Sequence, residues 1–198
     1  MKSLLYAVLS LLILSQTVIA DDKSAAEEAL KSKLEAVLLV LQKEEVEHEA
    51  KKKEIIEIVS PIFDFSLMAK LTLGREFWPG LAKEKKERFT ELFVKRLKES
   101  YFKKLTRYTN TRFTNTRIVY NAPIQVKKRI YIPTELISKD KKICMLYKLY
   151  KSKHNWKIYD IEIEGVSIII TYRSQFSQVL RKGTIDDLLK KLEGLENK

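Results

Sequence analysis

Few residues in this sequence are suited to covalent or metal chemistry. Its 198 residues include one cysteine, two histidines and five glycines. A single cysteine cannot form an internal disulfide, and this scarcity of cysteine and histidine disfavours a zinc site. Neither His48 nor His154 neighbours a serine nucleophile motif, and no glycines form a G-x-G-x-x-G or phosphate-loop pattern. We therefore predict no metal site and no cofactor.

The only cysteine, Cys144, lies in the stretch KKICMLYKLY, which alternates as a strand does. Cysteine is among the most frequently buried residue types. We therefore predict a buried, unreactive thiol.

The N-terminal stretch MKSLLYAVLSLLILSQTVIA resembles a secretory signal. One lysine precedes an apolar run too short to span a bilayer comfortably, and a small-residue cleavage pattern follows. We predict a signal peptide over residues 1–20, cleaved before Asp21, and a single domain over residues 21–198. An uncleaved N-terminal anchor is the alternative.

The formal net charge is +12 at pH 7. Such a charge attracts polyanions, and an exported protein meets anionic lipid head groups before it meets nucleic acid. Acidic residues are interspersed among the basic ones, as on the solvated side of a helix. We therefore expect no nucleic-acid partner.

Helical periodicity dominates the first half of the chain. Ser24 with Glu27 has the pattern of a capping box, and Asp64 precedes a short helix that Gly74 is expected to end. The clearest helix is predicted from about Lys83 to Tyr108. Its apolar stripe consists of Phe89, Leu92, Phe93, Leu97, Tyr101, Leu105 and Tyr108.

After this helix, the spacing of the apolar residues changes from 3.6 residues, typical of a helix, to 2 residues, typical of a strand. Four stretches read as strands, namely TRFTNTRIVYNA, IQVKKRIYIPTE, KKICMLYKLYKS and WKIYDIEIE. A helix is predicted over residues 166–182 and a last one from Ile185 to about Leu195, after a Thr184 cap. This order predicts an α+β fold in which helices pack on one face of a curved, four-stranded antiparallel sheet.

Three carboxylates alternate along the last predicted strand. Asp160, Glu162 and Glu164 should share one face, because side chains two residues apart on a strand point the same way. Such a group could perform acid–base chemistry, or it could pair with lysines and arginines of neighbouring strands. We favour the second interpretation.

Three longer stretches, in order, resemble the MlaC / toluene-tolerance family. They are PIFDFSLMAKLTLG, EKKERFTELFVKRLKESYFKKLTRYTN and WKIYDIEIEGVSIIITYRSQFSQVLRKGTIDDLLKKL. The shared features include Asp-Phe before an alanine and a Leu-Gly pair, Glu-Gly-Val-Ser, and Tyr-Arg-x-Gln-Phe. The similarity runs from about residue 28 to residue 195.

The resemblance implies a nuclear-transport-factor-like fold with an internal apolar cavity for acyl chains. It implies a periplasmic phospholipid carrier, with lipid as cargo, rather than an enzyme. The implied partners are an outer-membrane lipoprotein–porin complex and an inner-membrane ABC transporter with a ring of MCE domains. We expect the carrier itself to be a monomer.

The residues expected at the lipid tails follow from this resemblance. Arg173 is expected to form a salt bridge to Asp160 or Asp64, or else to contact the lipid phosphate. The expected lipid-binding residues are Phe65, Met68, Leu71, Trp78, Phe93, Leu97, Tyr101, Met145, Tyr147, Ile161, Ile163, Val166, Ile169, Ile170 and Tyr172.

Two other functions remain compatible with the sequence. One is a basic exported adaptor that binds an anionic surface or a protein partner without a lipid cavity. The other is an exported hydrolase that uses the carboxylates on the last strand.

Overall fold

A computed structural model shows six α-helices and an antiparallel sheet in the residues that it describes. Its backbone is described for residues 2–43, 46–109, 116–138, 141–153 and 155–194. Side chains are described within these ranges from Asp22 onward, except at residues 102–109 and 141. The α+β prediction is confirmed.

The first two helices pack against each other. Helix α1 spans Lys2–Gln42 and helix α2 spans His48–Val59, and a 3₁₀ turn follows at Ser60–Ile62. Leu39 of α1 is 66% exposed, so a large apolar side chain of this helix pair lies in solvent. Its small core consists of Val37, Val40, Leu41 and Ile55, with Ile58 and Val59 beside it.

Helix α1 continues through Ser24 without a break. The predicted helix start at Ser24 is therefore wrong, since the apolar N-terminal stretch continues the same helix. Cleavage before Asp21 stays a prediction. In the part of the chain whose side chains are described, no helix has both the length and the apolar content to cross a membrane.

The next two helices begin where their sequences predict, but Gly74 kinks the first of them instead of ending it. Helix α3 spans Phe65–Phe77, and the Asp64 carboxylate caps it by accepting a hydrogen bond from the Leu67 N–H at 2.9 Å. Gly74 has a φ of 73°, which kinks the helix. Glycine adopts this left-handed region without steric cost. Helix α4 spans Lys83–Thr109, close to its predicted bounds.

The sheet has six strands within the described ranges, two more than predicted. The order is β1-β3-β4-β5-β6, with β2 paired to β3, and every named strand pair is antiparallel. The predicted second strand divides because Lys127, with a φ of 55°, turns the chain between Val126 and Arg129. The strands are β1 Thr116–Tyr120, β2 Ile124–Val126, β3 Arg129–Ser138, β4 Lys141–Ser152, β5 Asn155–Ile163 and β6 Val166–Ser167.

A tight turn at Glu164 and Gly165 places the last two helices. Both residues have positive φ, 50° and 75°, so β6 folds back onto the edge of β5. Helix α5 therefore begins at Ile168, two residues later than predicted, and spans Ile168–Leu180. Helix α6 spans Ile185–Gly194, and Thr184 caps it as predicted.

One face of the sheet, which we call the α1 face, packs against α1 and the 3₁₀ turn. Tyr147 and Leu149 of β4 lie on this face with Ile130 and Ile132 of β3. Strand alternation places Cys144 on the opposite face, where it is exposed. The prediction of a buried thiol is therefore wrong.

Candidate functional site

Most of the buried apolar side chains belong to two clusters. A domain of this size commonly has one contiguous core with small satellites. The helical cluster joins α3, α4, α5 and α6, and the sheet cluster lies between α1 and the α1 face. Their largest buried members are Met68, Phe89, Phe93 and Leu188 in the helical cluster, and Leu30, Ile130, Ile132, Leu149 and Ile158 in the sheet cluster.

A band of half-buried apolar side chains separates the two clusters. Phe63 and Ile161 pack against both of them. The rings of Phe63 and Phe65 stack, with centroids 5.3 Å apart. Met145 borders the sheet cluster, and its cross-strand partner Ile163 borders the helical cluster. We call Phe63, Phe65, Met145, Ile161 and Ile163 the seam.

The predicted lipid-binding residues fall into three groups. Val166 and Ile170 are 60% and 63% exposed, because Val166 lies on an edge strand and Ile170 on the solvent side of α5. These two residues lie on the surface, not in an interior. The buried group is Met68, Phe93, Leu97, Tyr147, Ile169 and Tyr172, and the half-buried group is Phe65, Leu71, Trp78, Tyr101, Met145, Ile161 and Ile163.

Aromatic rings fill the centre of the helical cluster. Phe93 meets Tyr172 edge-on at 5.3 Å, and Phe89 meets Phe176 edge-on at 5.5 Å. Burial raises the pKa of Tyr172, and it raises the pKa of Tyr101 to about 12. Edge-on aromatic pairs stabilise a core beyond the area that they bury. Phe93 and Tyr172 are therefore held by their neighbours in the helical cluster.

Arg173 contacts the backbone rather than either predicted acid. Its Nε and Nη2 both donate to the carbonyl oxygen of Leu71, at 2.9 and 2.6 Å. This carbonyl lies just before the kink at Gly74, where helical hydrogen bonding is interrupted. Arg173 thus ties α5 to α3, and the predicted salt bridge to Asp160 or Asp64 is wrong.

The carboxylates on β5 have structural partners. Lys148 Nζ bonds both Asp160 and Glu162. Asp160 also accepts from Ser167 Oγ at 2.7 Å and from the Ile169 N–H at 3.2 Å, which fixes the start of α5. Asp160 and Glu162 therefore pair with a lysine of the neighbouring strand β4, as the favoured interpretation predicted.

Glu164 lies apart from these two carboxylates. It belongs to the turn before β6 and accepts a hydrogen bond from the Cys144 N–H at 2.5 Å. Within the described ranges, no group of three histidine, cysteine or acidic residues could hold a metal ion.

Sequence reasoning missed three polar groups on the α1 face. Tyr120 Oη, Thr134 Oγ1 and Trp156 Nε1 are buried without a hydrogen-bond partner, and they are the side-chain atoms of this kind found among the described residues. Strand alternation could have placed Thr134 beside Ile132 on this face. The burial of these atoms depends on the folded chain and has no local signal in the sequence.

Comparisons with known proteins agree on the fold. A solved phospholipid-binding protein from Ralstonia solanacearum, in complex with a phospholipid, superposes with a TM-score of 0.74. The alignment covers 85% of this chain and 95% of that one at 22% sequence identity, which supports a shared fold.

The family comparison uses sequence alone and agrees with the resemblance found above. No curated protein matches the sequence significantly. The family model described as "MlaC protein" matches residues 31–194, which is most of the chain. This chain therefore belongs to the MlaC family.

Proposed function

We propose that this protein binds a phospholipid by its acyl chains and carries it through the periplasm. The observation that carries the proposal is the seam, a band of half-buried apolar side chains between two separately packed clusters. Apolar surface that is neither exposed nor tightly enclosed suits a flexible apolar ligand. Membership of the MlaC family supports this assignment, as does the fold shared with a phospholipid-binding protein.

A lipid carrier has to hide acyl chains from water. Each CH₂ group exposed to water costs about 0.8 kcal/mol, so two chains cost on the order of tens of kcal/mol. Tails inserted at the seam would replace water contacts with contacts to Ile161, Ile163 and Met145. The head group would remain near the surface, where the net charge of +12 attracts its phosphate.

No bond has to be made or broken for this function. The Asp160 and Glu162 carboxylates already bond Lys148, and Asp160 also bonds the start of α5. These contacts favour a binding protein over the hydrolase alternative. We propose that lipid passes between an outer-membrane lipoprotein–porin complex and an inner-membrane ABC transporter with MCE domains, with this protein as a monomeric carrier after signal-peptide removal.

Native mass spectrometry of the purified mature protein tests the proposal. We expect a mass increment of one phospholipid per chain. The variant Ile163→Glu places a charge at the seam and should lose the lipid while retaining its circular dichroism spectrum, since Ile163 is only half-buried. Ile124→Glu is the matched control, because Ile124 is 50% exposed on β2 and should retain lipid as a glutamate.

Three results would contradict the proposal. Wild-type protein that stays empty after incubation with phospholipid vesicles, yet adheres to anionic vesicles, would favour the adaptor alternative. Equal retention of lipid by Ile163→Glu and Ile124→Glu would remove the seam from the site. Hydrolysis of the offered lipid would favour the enzyme alternative.

A further inference from the structure

The α1 face contains hydroxyl groups that its own residues leave without partners. Tyr120 Oη and Thr134 Oγ1 are both shielded from water and have no hydrogen-bond partner in the part of the chain that the structure describes. Leaving a buried hydroxyl unpaired is destabilising, and natural proteins rarely tolerate it without a reason. A ligand that supplies an acceptor would recover this cost.

These two residues are direct neighbours across the sheet. Tyr120 of β1 pairs with Thr134 of β3, and the same row continues to Met145 of β4 and Ile163 of β5. Residues opposite each other on antiparallel strands project from the same face. The unpaired hydroxyls therefore share a row with Met145 and Ile163 of the seam.

The next row of the same face is apolar. It consists of Ile118, Leu136 and Ile143, which are all half-buried. On the other side of the hydroxyl row, Tyr147 Oη donates to the Met145 sulfur at 3.5 Å, its one side-chain hydrogen bond among the described residues. Thioether sulfur is a weak acceptor. Hydroxyl donors without strong acceptors thus form a narrow polar strip inside an apolar surface.

The charges around this strip select the kind of acceptor. Burial, together with Glu35 and Glu27 of α1, raises the pKa of Tyr120 to about 12. Two nearby carboxylates oppose a phosphate or a fatty-acid carboxylate at this point, although Lys31 lies over the Tyr120 ring at 5.7 Å. A neutral acceptor attached to apolar chains fits better. In a phospholipid that group is the acyl ester carbonyl.

We propose that Tyr120 and Thr134 donate hydrogen bonds to an acyl ester carbonyl of the bound lipid. This inference rests on the proposed lipid-binding function and adds to it a preference for ester-linked chains. Both oxygens are shielded from water, Lys31 of α1 lies over the Tyr120 ring, and Ala26 and Leu30 of α1 pack on the same face, so this inference requires α1 to shift when the lipid enters.

A competition between two lipids tests this inference. Lipid-free protein is incubated with vesicles of equal amounts of dioleoyl phosphatidylcholine and its dialkyl ether analogue, in which each ester C=O is a CH₂. The captured lipids are then counted by mass spectrometry. Hydrogen bonds of this kind contribute about 0.5–1.5 kcal/mol each, so we expect wild-type protein to prefer the ester by about tenfold.

Matched variants distinguish the contribution of these two hydroxyls from the effect of removing any two hydroxyls from the sheet. The double variant Tyr120→Phe/Thr134→Val removes both groups at nearly constant shape, and we expect an ester-to-ether ratio near one with total capture retained. The control Tyr131→Phe/Thr116→Val removes hydroxyls that already have partners, Tyr159 at 3.2 Å and Ser138 at 3.0 Å. We expect it to keep the wild-type preference.

The outcomes distinguish this inference from the function on which it rests. Capture of both lipids in equal amounts by the wild type would overturn the ester preference alone. A preference that survives in Tyr120→Phe/Thr134→Val would overturn the assignment to these residues. Capture of neither lipid would contradict both proposals. Thermal melting of the lipid-free variants verifies folding, and removal of unpaired hydroxyls should not lower the melting temperature.

Discussion

The helical cluster and the sheet cluster bury apolar side chains in different ways. In the helical cluster, Phe93 meets both Tyr172 and Phe176 edge-on, and Phe89 also meets Phe176 edge-on. On the face of the sheet cluster, three polar atoms are buried without partners among the described residues, and half-buried residues of the seam lie along the border of the cluster. The helical cluster is packed as an ordinary core. The sheet cluster leaves polar and apolar atoms that a ligand could contact. Fold stability and lipid binding can thus reside in different halves of one small domain.

The largest expected effect comes from opening the helical cluster. Phe93 is fully buried, so Phe93→Ala should lower the free energy of unfolding by about 3–5 kcal/mol. Urea denaturation measures this loss. Phe65→Ala is the comparison at the seam, where the ring is only half-buried, and we expect a smaller loss. Equal losses at the two sites would mean that the seam is packed as tightly as the helical cluster.

The next effect concerns the link between the sheet and α5. Asp160→Asn keeps the size of the side chain but removes a charge and one acceptor, while three donors converge on this position. Hydrogen bonds to charged groups contribute about 1.5–3 kcal/mol, and we expect a loss of unfolding free energy in that range. Chemical denaturation is the measurement.

Glu162→Gln is the matched control for Asp160→Asn. The Glu162 side chain is 25% exposed, against 6% for Asp160, and its only partner named above is Lys148. Glu162→Gln should therefore lower the free energy of unfolding by less than Asp160→Asn does. A larger loss in Glu162→Gln would place the main link elsewhere on β5.

A smaller effect is expected at Arg173. Arg173→Lys leaves one ammonium group where two guanidinium nitrogens now hold the Leu71 carbonyl. Because Arg173 is exposed, we expect a loss of about 0.5–1 kcal/mol and unchanged lipid capture. Melting temperature and native mass spectrometry measure the two quantities. A severalfold fall in capture of anionic lipid, without loss of stability, would instead assign Arg173 to the phosphate.

Local sequence patterns predicted much of the fold. The apolar stripe placed α4, and the Asp64 and Thr184 caps marked the starts of α3 and α6. These features depend on neighbours in sequence, so they can be identified without tertiary information. The divided second strand was missed, because a lysine rather than a glycine supplies the positive φ at Lys127.

The candidate site was harder to predict, because burial depends on which element covers a residue. Ile169 and Ile170 are adjacent in an apolar run, yet they are 4% and 63% exposed. Tyr120 and Thr134 look like ordinary strand residues until the fold buries their hydroxyls without a partner among the described residues. Which side of α5 faces solvent, and which residues of β1 and β3 lie opposite each other, decide the burial of these side chains. Both are known only from the folded chain.

The smallest expected effect concerns the charge of Asp187 at the start of α6 and its contribution to stability. Asp187 accepts hydrogen bonds from the Thr184 N–H and Oγ, both at 2.8 Å, at the start of α6. These bonds lower the pKa of Asp187 below its ordinary value of 3.8. A lowered pKa in the folded state contributes stability above pH 3.8, and that stability is lost as the pH falls through the folded-state value.

Asp187→Asn keeps an acceptor oxygen but removes the charge, so it isolates this contribution. We expect the variant to melt slightly below the wild type at pH 7, and we expect the difference to vanish as the pH is lowered well below 3.8. Both proteins share the other carboxylates. The difference between their melting temperatures at each pH therefore excludes the contribution of those carboxylates. A difference that persists in acid would mean that Asp187 acts through its shape and hydrogen bonds rather than through its charge.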